Sequence, residues 1–128
     1  VHNGIEYGMM QAIGEGFELL KKSEFNLDLE KVGEIYNKGS VIESRLVGWL
    51  ISGYKKHGQE LNEISGSVGM LGEGEWTVQI AKEMKVPMPI IEGSVQFRVD
   101  SKTKPSYTGK IVSVLRSEFG GHDVKESK

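Results

Sequence analysis

Residues 1–20 read VHNGIEYGMMQAIGEGFELL, and the spacing of their apolar side chains decides the fold class. Counting back from Leu20 through Phe17, Ile13 and Met10, the intervals are three, four and three, the recurrence of one stripe on an amphipathic helix. The next step of four lands on Glu6. His2, Asn3 and Tyr7 stand around it at helical neighbour spacings. One end of the helix is therefore patterned for a core and the other for an ionisable, hydrogen-bonding cleft. A solvated first turn would give the same letters, because helix starts favour acidic residues, so the pattern alone leaves both readings open.

The 128 residues suit one domain with a real core and are short for an enzyme that also carries a nucleotide-binding half. A formal charge of −2 argues against a broad nucleic-acid surface, while leaving room for a local cluster of cations around one small anion. With no cysteine there is neither a disulfide framework nor a thiolate metal site, and His2, His57 and His122 show no metal-ligand spacing. No apolar run approaches the roughly 20 residues of a membrane span, and no signal-peptide pattern precedes the first helix. A soluble, cytoplasmic protein with no nucleic-acid or membrane partner is expected. Val1 opens the sequence in the middle of a functional helix face, so an excised or processed piece of a longer protein is expected as well.

Farther along, Lys21 and Lys22 suit a helix C-terminus, and residues 23–26 break the pattern. Asp28 is an N-cap for a second helix that places Leu29, Val32, Ile35 and Tyr36 inside and ends at Asn37 to Gly39. A core helix is predicted over residues 41–54, with Val41, Ile42, Leu46, Trp49, Leu50 and Ile51 inward. Gly66, Gly69, Gly72 and Gly74 then interrupt residues 60–75, which read as a loop. This loop follows no evident strand, lacks a phosphate-loop lysine and does not spell a dinucleotide fingerprint, so a structural turn is favoured over a nucleotide cradle. Helices are predicted over residues 76–84, from Ile90 with Ile91, Val95 and Phe97, and over residues 107–119 with Ile111, Val112 and Leu115 inward, before Gly120 and Gly121 stop the last one. With no sustained alternation of period two, the expected fold is a single all-α domain over residues 1–128.

A carboxyl on an otherwise apolar stripe, as at Glu6, is a candidate acid or base, because loss of water favours the protonated form. Arg98, Arg116 and His122 stand at or beyond helix ends, where long cations can converge on an anion. Each alone reads first as a solvated or capping residue, since a surface arginine takes that role far more often than it clamps a ligand, and sequence does not display convergence. Trp49 and Trp76 read as core aromatics.

In order, VHNGIEYG at the start, GEGEWT at 72–77, Val86-Pro87 followed by Phe97-Arg98, and RSEFGGH at 116–122 resemble the C-terminal domain of the decarboxylating 6-phosphogluconate dehydrogenases, in their shorter bacterial and archaeal form. The resemblance spans almost the whole chain. It implies a multi-helix C-terminal domain of the β-hydroxyacid dehydrogenase type, serving substrate binding and dimerisation. It implies Glu6 as general acid and His2 and Asn3 as residues that contact substrate hydroxyls or position the site. Tyr7, Arg98 and Arg116 match phosphate-binding positions, and His122 matches a substrate-contacting histidine. In the long-type relatives, the positions of Arg116 and His122 reach the site from the neighbouring subunit of a homodimer, and Phe119 would anchor that tail. The same arrangement is expected here.

The reaction implied is oxidation of 6-phosphogluconate at C3 by NADP or NAD, then loss of CO2 and protonation of the enediol at C1. The cofactor would be bound mainly by an N-terminal Rossmann domain that this chain lacks, and the family's catalytic lysine would fall two positions before Val1. Leu71 stands where long-type enzymes carry a phosphate-binding lysine, and Met9 where many relatives are acidic. Two alternatives stay open: the helical half of another β-hydroxyacid dehydrogenase, or an all-α oligomerisation module without an active site.

Overall fold

The computed structural model describes residues 1–121. Among them the regular structure is six helices and no strand: α1 His2–Lys22, α2 Leu29–Tyr36, α3 Arg45–His57, α4 Glu73–Glu83, α5 Pro89–Asp100 and α6 Tyr107–Gly120. The all-α expectation holds. α1 is the spine, with α6, α5, α4 and α2 packed along it; α3 lies against α2 and α6, and α4 against α5. No helix among the described residues is long and apolar enough to cross a membrane.

The stripe counted from the sequence does bury. Met10 and Phe17 meet Leu46, Leu50 and Tyr54 of α3 and Ile111, Val112, Val114 and Leu115 of α6, with Ile13 and Leu20 packed at the margin. Burying each large aliphatic side chain contributes about 1.5–3 kcal/mol, so this seam fixes the register of α1 and with it the position of Glu6 and Tyr7. α3 and α6 approach closely because Gly53 has no side chain: a Cβ there would lie 2.1 Å from Val114 Cγ1.

Capping explains where the predicted boundaries move. Asp28 caps α2 as expected, accepting from Lys31 N at 3.2 Å. α3 begins at Arg45 rather than at 41, because Ser44 caps it by accepting from Val47 N at 3.2 Å. Val41 and Ile42 therefore lie before the helix, in a turn, and are exposed instead of inward. Ile35 is likewise on the outer face of α2. α4 starts at Glu73, earlier than predicted, since Gly72 takes the left-handed conformation (φ 100°) and accepts from Trp76 N at 2.9 Å. Pro89 occupies the first turn of α5, where its missing N–H leaves no helical bond unmade.

α5 inverts the usual pattern. Its fully buried residues are Ser94 and Arg98, while Ile90 and Val99 face out. The two tryptophans also divide: Trp49 is half-buried with its ring 5.2 Å from that of Phe119. Trp76, read as a core aromatic, is 63% exposed in the first turn of α4, beside the start of α1 rather than in the core.

Candidate functional site

α1 brings Tyr7 to a cleft that α5 and α6 enter with Arg98 and Arg116. Arg98 is 2% exposed. Its guanidinium carbon lies 3.5 Å from the centre of the Tyr7 ring, a cation–π contact. Arg98 Nη1 donates to the carbonyl of Gly69 at 3.3 Å, while Nη2 is buried with no hydrogen-bond partner. Tyr7 can lie flat there because Gly74 is bare: a Cβ on Gly74 would stand 2.4 Å from a carbon of the ring.

Arg116 reaches the same cleft half-buried, its guanidinium against Gly69. Among the described residues no carboxylate comes within 4.0 Å of either guanidinium. Burial pushes Arg98 down to about 10; Tyr7 and Glu73 oppose the fall and the neighbouring Arg116 adds to it. Burial also lowers Arg116, again opposed by Tyr7 and Glu73. Two cations are thus held together in a partly dehydrated place with one buried donor unmatched. Most buried polar atoms find a partner, so an exception of this kind marks the Arg98 guanidinium as a donor free to take a ligand.

The cleft holds about 60 Å3 and is bordered at its open end by Asn3 and Glu6. The Glu6 side chain is 27% exposed, with His2 Nδ1 4.0 Å from its Oε1. His2 itself is 87% exposed and sits 3.3 Å from Asn3 Oδ1. It belongs to a more open adjoining cleft of about 300 Å3, which shares Asn3 and Glu73 with the first and is walled by Trp76 and Ile80. The structure therefore gathers Asn3, Glu6, Tyr7, Arg98 and Arg116 at one cleft and puts His2 in the next. His122 lies outside the described residues. Arg116 lines the cleft of its own chain, carried there by α6, which runs unbroken from Tyr107 past Arg116 to Gly120. Leu71 borders the cleft without a charge.

Glu73 and the exposed face of Trp76 were not singled out from the sequence. The available signal was the αL-prone Gly72 directly before Glu73, which starts α4 early and turns its first carboxylate toward the cleft.

The glycine-rich loop does not fit a dinucleotide cradle. Its glycines are accounted for by packing: a Cβ on Gly66 would lie 2.5 Å from Ser106 N, one on Gly69 3.0 Å from Arg116, and one on Gly74 against Tyr7. The helix it feeds opens with Glu73 and Glu75, which would repel a pyrophosphate. Among the described residues no three His, Asp or Glu side chains gather as a metal site.

Fold and cleft together define a helical domain whose small cleft sets two arginines and a tyrosine beside carboxyl groups. The family model described as 6-phosphogluconate dehydrogenase, C-terminal domain, matches residues 1–120, and the chain belongs to that family. It is 48% identical over 122 residues to a Bacillus subtilis (strain 168) protein named "Putative 6-phosphogluconate dehydrogenase YqeC", covering 95% of this chain and 41% of that one. It is 40% identical over 124 residues to the NAD(+)-dependent, decarboxylating 6-phosphogluconate dehydrogenase of Haloferax volcanii, covering 97% of this chain and 42% of that one. A decarboxylating 6-phosphogluconate dehydrogenase of Lactococcus lactis subsp. cremoris is 34% identical over 135 residues, with 98% and 28% covered. The chain thus spans about two fifths or less of the length of these relatives.

Proposed function

We propose that residues 1–128 form the substrate-binding and dimerisation domain of an enzyme that oxidatively decarboxylates 6-phospho-D-gluconate to ribulose 5-phosphate, in the pentose phosphate pathway of the cytoplasm. The observation that carries this reading is the buried Arg98 guanidinium with its unpartnered Nη2, set beside Arg116 and Tyr7. A phosphate group matches that set, with charge-assisted bonds from the two arginines and one from the Tyr7 hydroxyl. The small cleft suits the phosphate end alone. The sugar acid then extends past Glu6 and Asn3 toward the wider cleft at His2, with His122 as a further contact.

Glu6 is the general acid. It stands at the mouth of the anion seat, open enough to exchange its proton, and on this reading protonates C1 of the enediol left after CO2 departs. NADP or NAD supplies hydride acceptance. The described residues offer no cradle for it, so we assign its binding to the rest of the enzyme. A homodimer is part of the proposal; the apolar groove between α1, α2 and the start of α3, about 340 Å3 with Leu19 and Ile42 exposed at it, supports an assembly surface.

Calorimetric titration tests the reading. The chain should bind 6-phosphogluconate and show at least tenfold weaker binding of gluconate, a discrimination of about 1.4 kcal/mol or more. Equal affinity for the two would transfer the domain to a β-hydroxyacid dehydrogenase of an unphosphorylated acid. Indifference to both would leave an oligomerisation module.

A further inference from the structure

Glu73 has no place in the phosphate reading so far, and its position calls for one. It opens α4 at the rim shared by the two clefts, facing Arg98 from α5, Arg116 from α6, and Tyr7, Glu6 and His2 from α1. The formal charges bordering the small cleft are two guanidiniums and two carboxylates, which cancel. A space of about 60 Å3 gives an anion little freedom to hold away from those carboxylates. An oxygen of a phosphate dianion set against a carboxylate oxygen is repulsive, whereas an O–H···O− bond is short and strong.

Resting on the phosphate reading above, we propose that the seat takes a phosphate monoester together with one proton, shared between a phosphate oxygen and the Glu73 carboxylate, so that Glu73 sets its specificity against fully ionised anions. Of the two carboxylates, Glu73 is the one whose charge reaches both guanidiniums, supporting the protonated form of each. Glu6 is left for the sugar end. The proton balance is simple: the complex holds one proton more than the dianion and two carboxylates would, taken from solvent when the ligand arrives as the dianion. Sulfate carries no proton to share across this pH range and meets Glu73 as a like charge.

Glycerol 3-phosphate and inorganic sulfate, titrated against the chain at pH 6 and pH 8, test this. With a second phosphate pKa of about 6, exclusive uptake of the protonated complex weakens binding about 50-fold between those pH values. Sulfate should bind at neither. Glu73→Gln keeps the size and replaces the acceptor by an amide, so its glycerol phosphate affinity should be nearly level from pH 6 to pH 8, and sulfate should now bind. Wild-type affinity that is level or rises toward pH 8, or tight sulfate binding, overturns the shared proton while leaving the anion seat intact. A pH slope unchanged in Glu73→Gln also overturns it and moves the proton to His2, Glu6 or a group outside the described residues. Failure of the wild-type chain to bind glycerol phosphate at either pH overturns the phosphate reading with it. The wild-type sulfate comparison decides the matter even if the variant does not fold.

Discussion

Replacing Arg98 by methionine should make the domain more stable and abolish its anion binding. In the free protein burial holds the guanidinium down at about 10, and a fall of that size from the ordinary arginine value corresponds to roughly 3 kcal/mol against the charged form. Set against it are the contact with the Tyr7 ring, worth up to about 2 kcal/mol when desolvated, and one long hydrogen bond to Gly69. Methionine fills much of the same volume and keeps a favourable sulfur contact with the ring. The net expectation is a gain of about 1 kcal/mol, or roughly 3–5 °C in the midpoint of thermal unfolding for a domain of this size. The folded-state value is depressed, so the cost to wild type applies at every pH below about 10 and is relieved as the pH rises through it. Arg98→Met should therefore lack that alkaline recovery. Melting curves at neutral pH with and without 6-phosphogluconate make the assay: ligand should raise the wild-type midpoint and leave the variant unmoved. A variant destabilised by several kcal/mol would refute the reasoning, since Arg98 would then be a strut of the fold rather than a charge held for a ligand.

Gly74→Ala should displace the Tyr7 ring, 2.4 Å from the added Cβ; overpacking of this kind costs about 1–3 kcal/mol, and 6-phosphogluconate affinity should fall with stability, both readable in one calorimetric series. Burial opposes the charge on Glu18, but bonds from Lys22 and Thr108 outweigh it and hold the carboxyl below its usual value. Its contribution is present at neutral pH and lost as the pH falls through the carboxylate range, so Glu18→Gln should be less stable at pH 7 and lose less stability on acidification, as followed by circular dichroism. In the complete enzyme, Glu6→Gln should lower kcat far more than it changes KM, because it removes a proton and keeps shape; an unchanged kcat would remove Glu6 from the role of acid.

The parts of this molecule that were legible in the sequence are those where local pattern and tertiary packing agree. The interval count through α1 placed Met10, Phe17 and Glu6 on one side of the spine, and helix geometry then carried Tyr7 to the neighbouring face. Asp28 capped α2 because an acceptor before an apolar helix has one obvious use. Apolarity misled where the chain had a better local option: Ser44 caps α3, so Val41 and Ile42 never enter it. Arg98 was invisible as a buried residue for the same reason. An arginine near a helix end reads as solvated, and only the packing of α5 onto α1 and α4 shows that this helix buries Ser94 and Arg98 while exposing Ile90. The meeting of Arg98 with Arg116 needed the fold, since the two come from different helices and the family resemblance led to Arg116 being expected at a neighbouring subunit's site.

What holds the two cations in register is the stretch that the sequence offered as a loop of unusual angles. Val68 N donates to Ser101 Oγ at 2.9 Å, and the Ser101 hydroxyl donates to the Arg98 carbonyl at 2.7 Å, which ties the loop to the end of α5. One residue on, the Gly69 carbonyl takes the Arg98 side chain, and the bare Cα of Gly69 lets the Arg116 guanidinium lie against the same backbone. Gly72 then turns the chain so that α4 begins with Glu73 at the rim and Gly74 under Tyr7. A side chain at Gly69 or Gly74 would move an arginine or the tyrosine directly, while the core seam between α1, α3 and α6 would be untouched. The glycines of residues 66–74 thus act as a brace that brings backbone into contact with Arg98, Arg116 and Tyr7, and their spacing follows the positions of those side chains rather than the shape of a nucleotide.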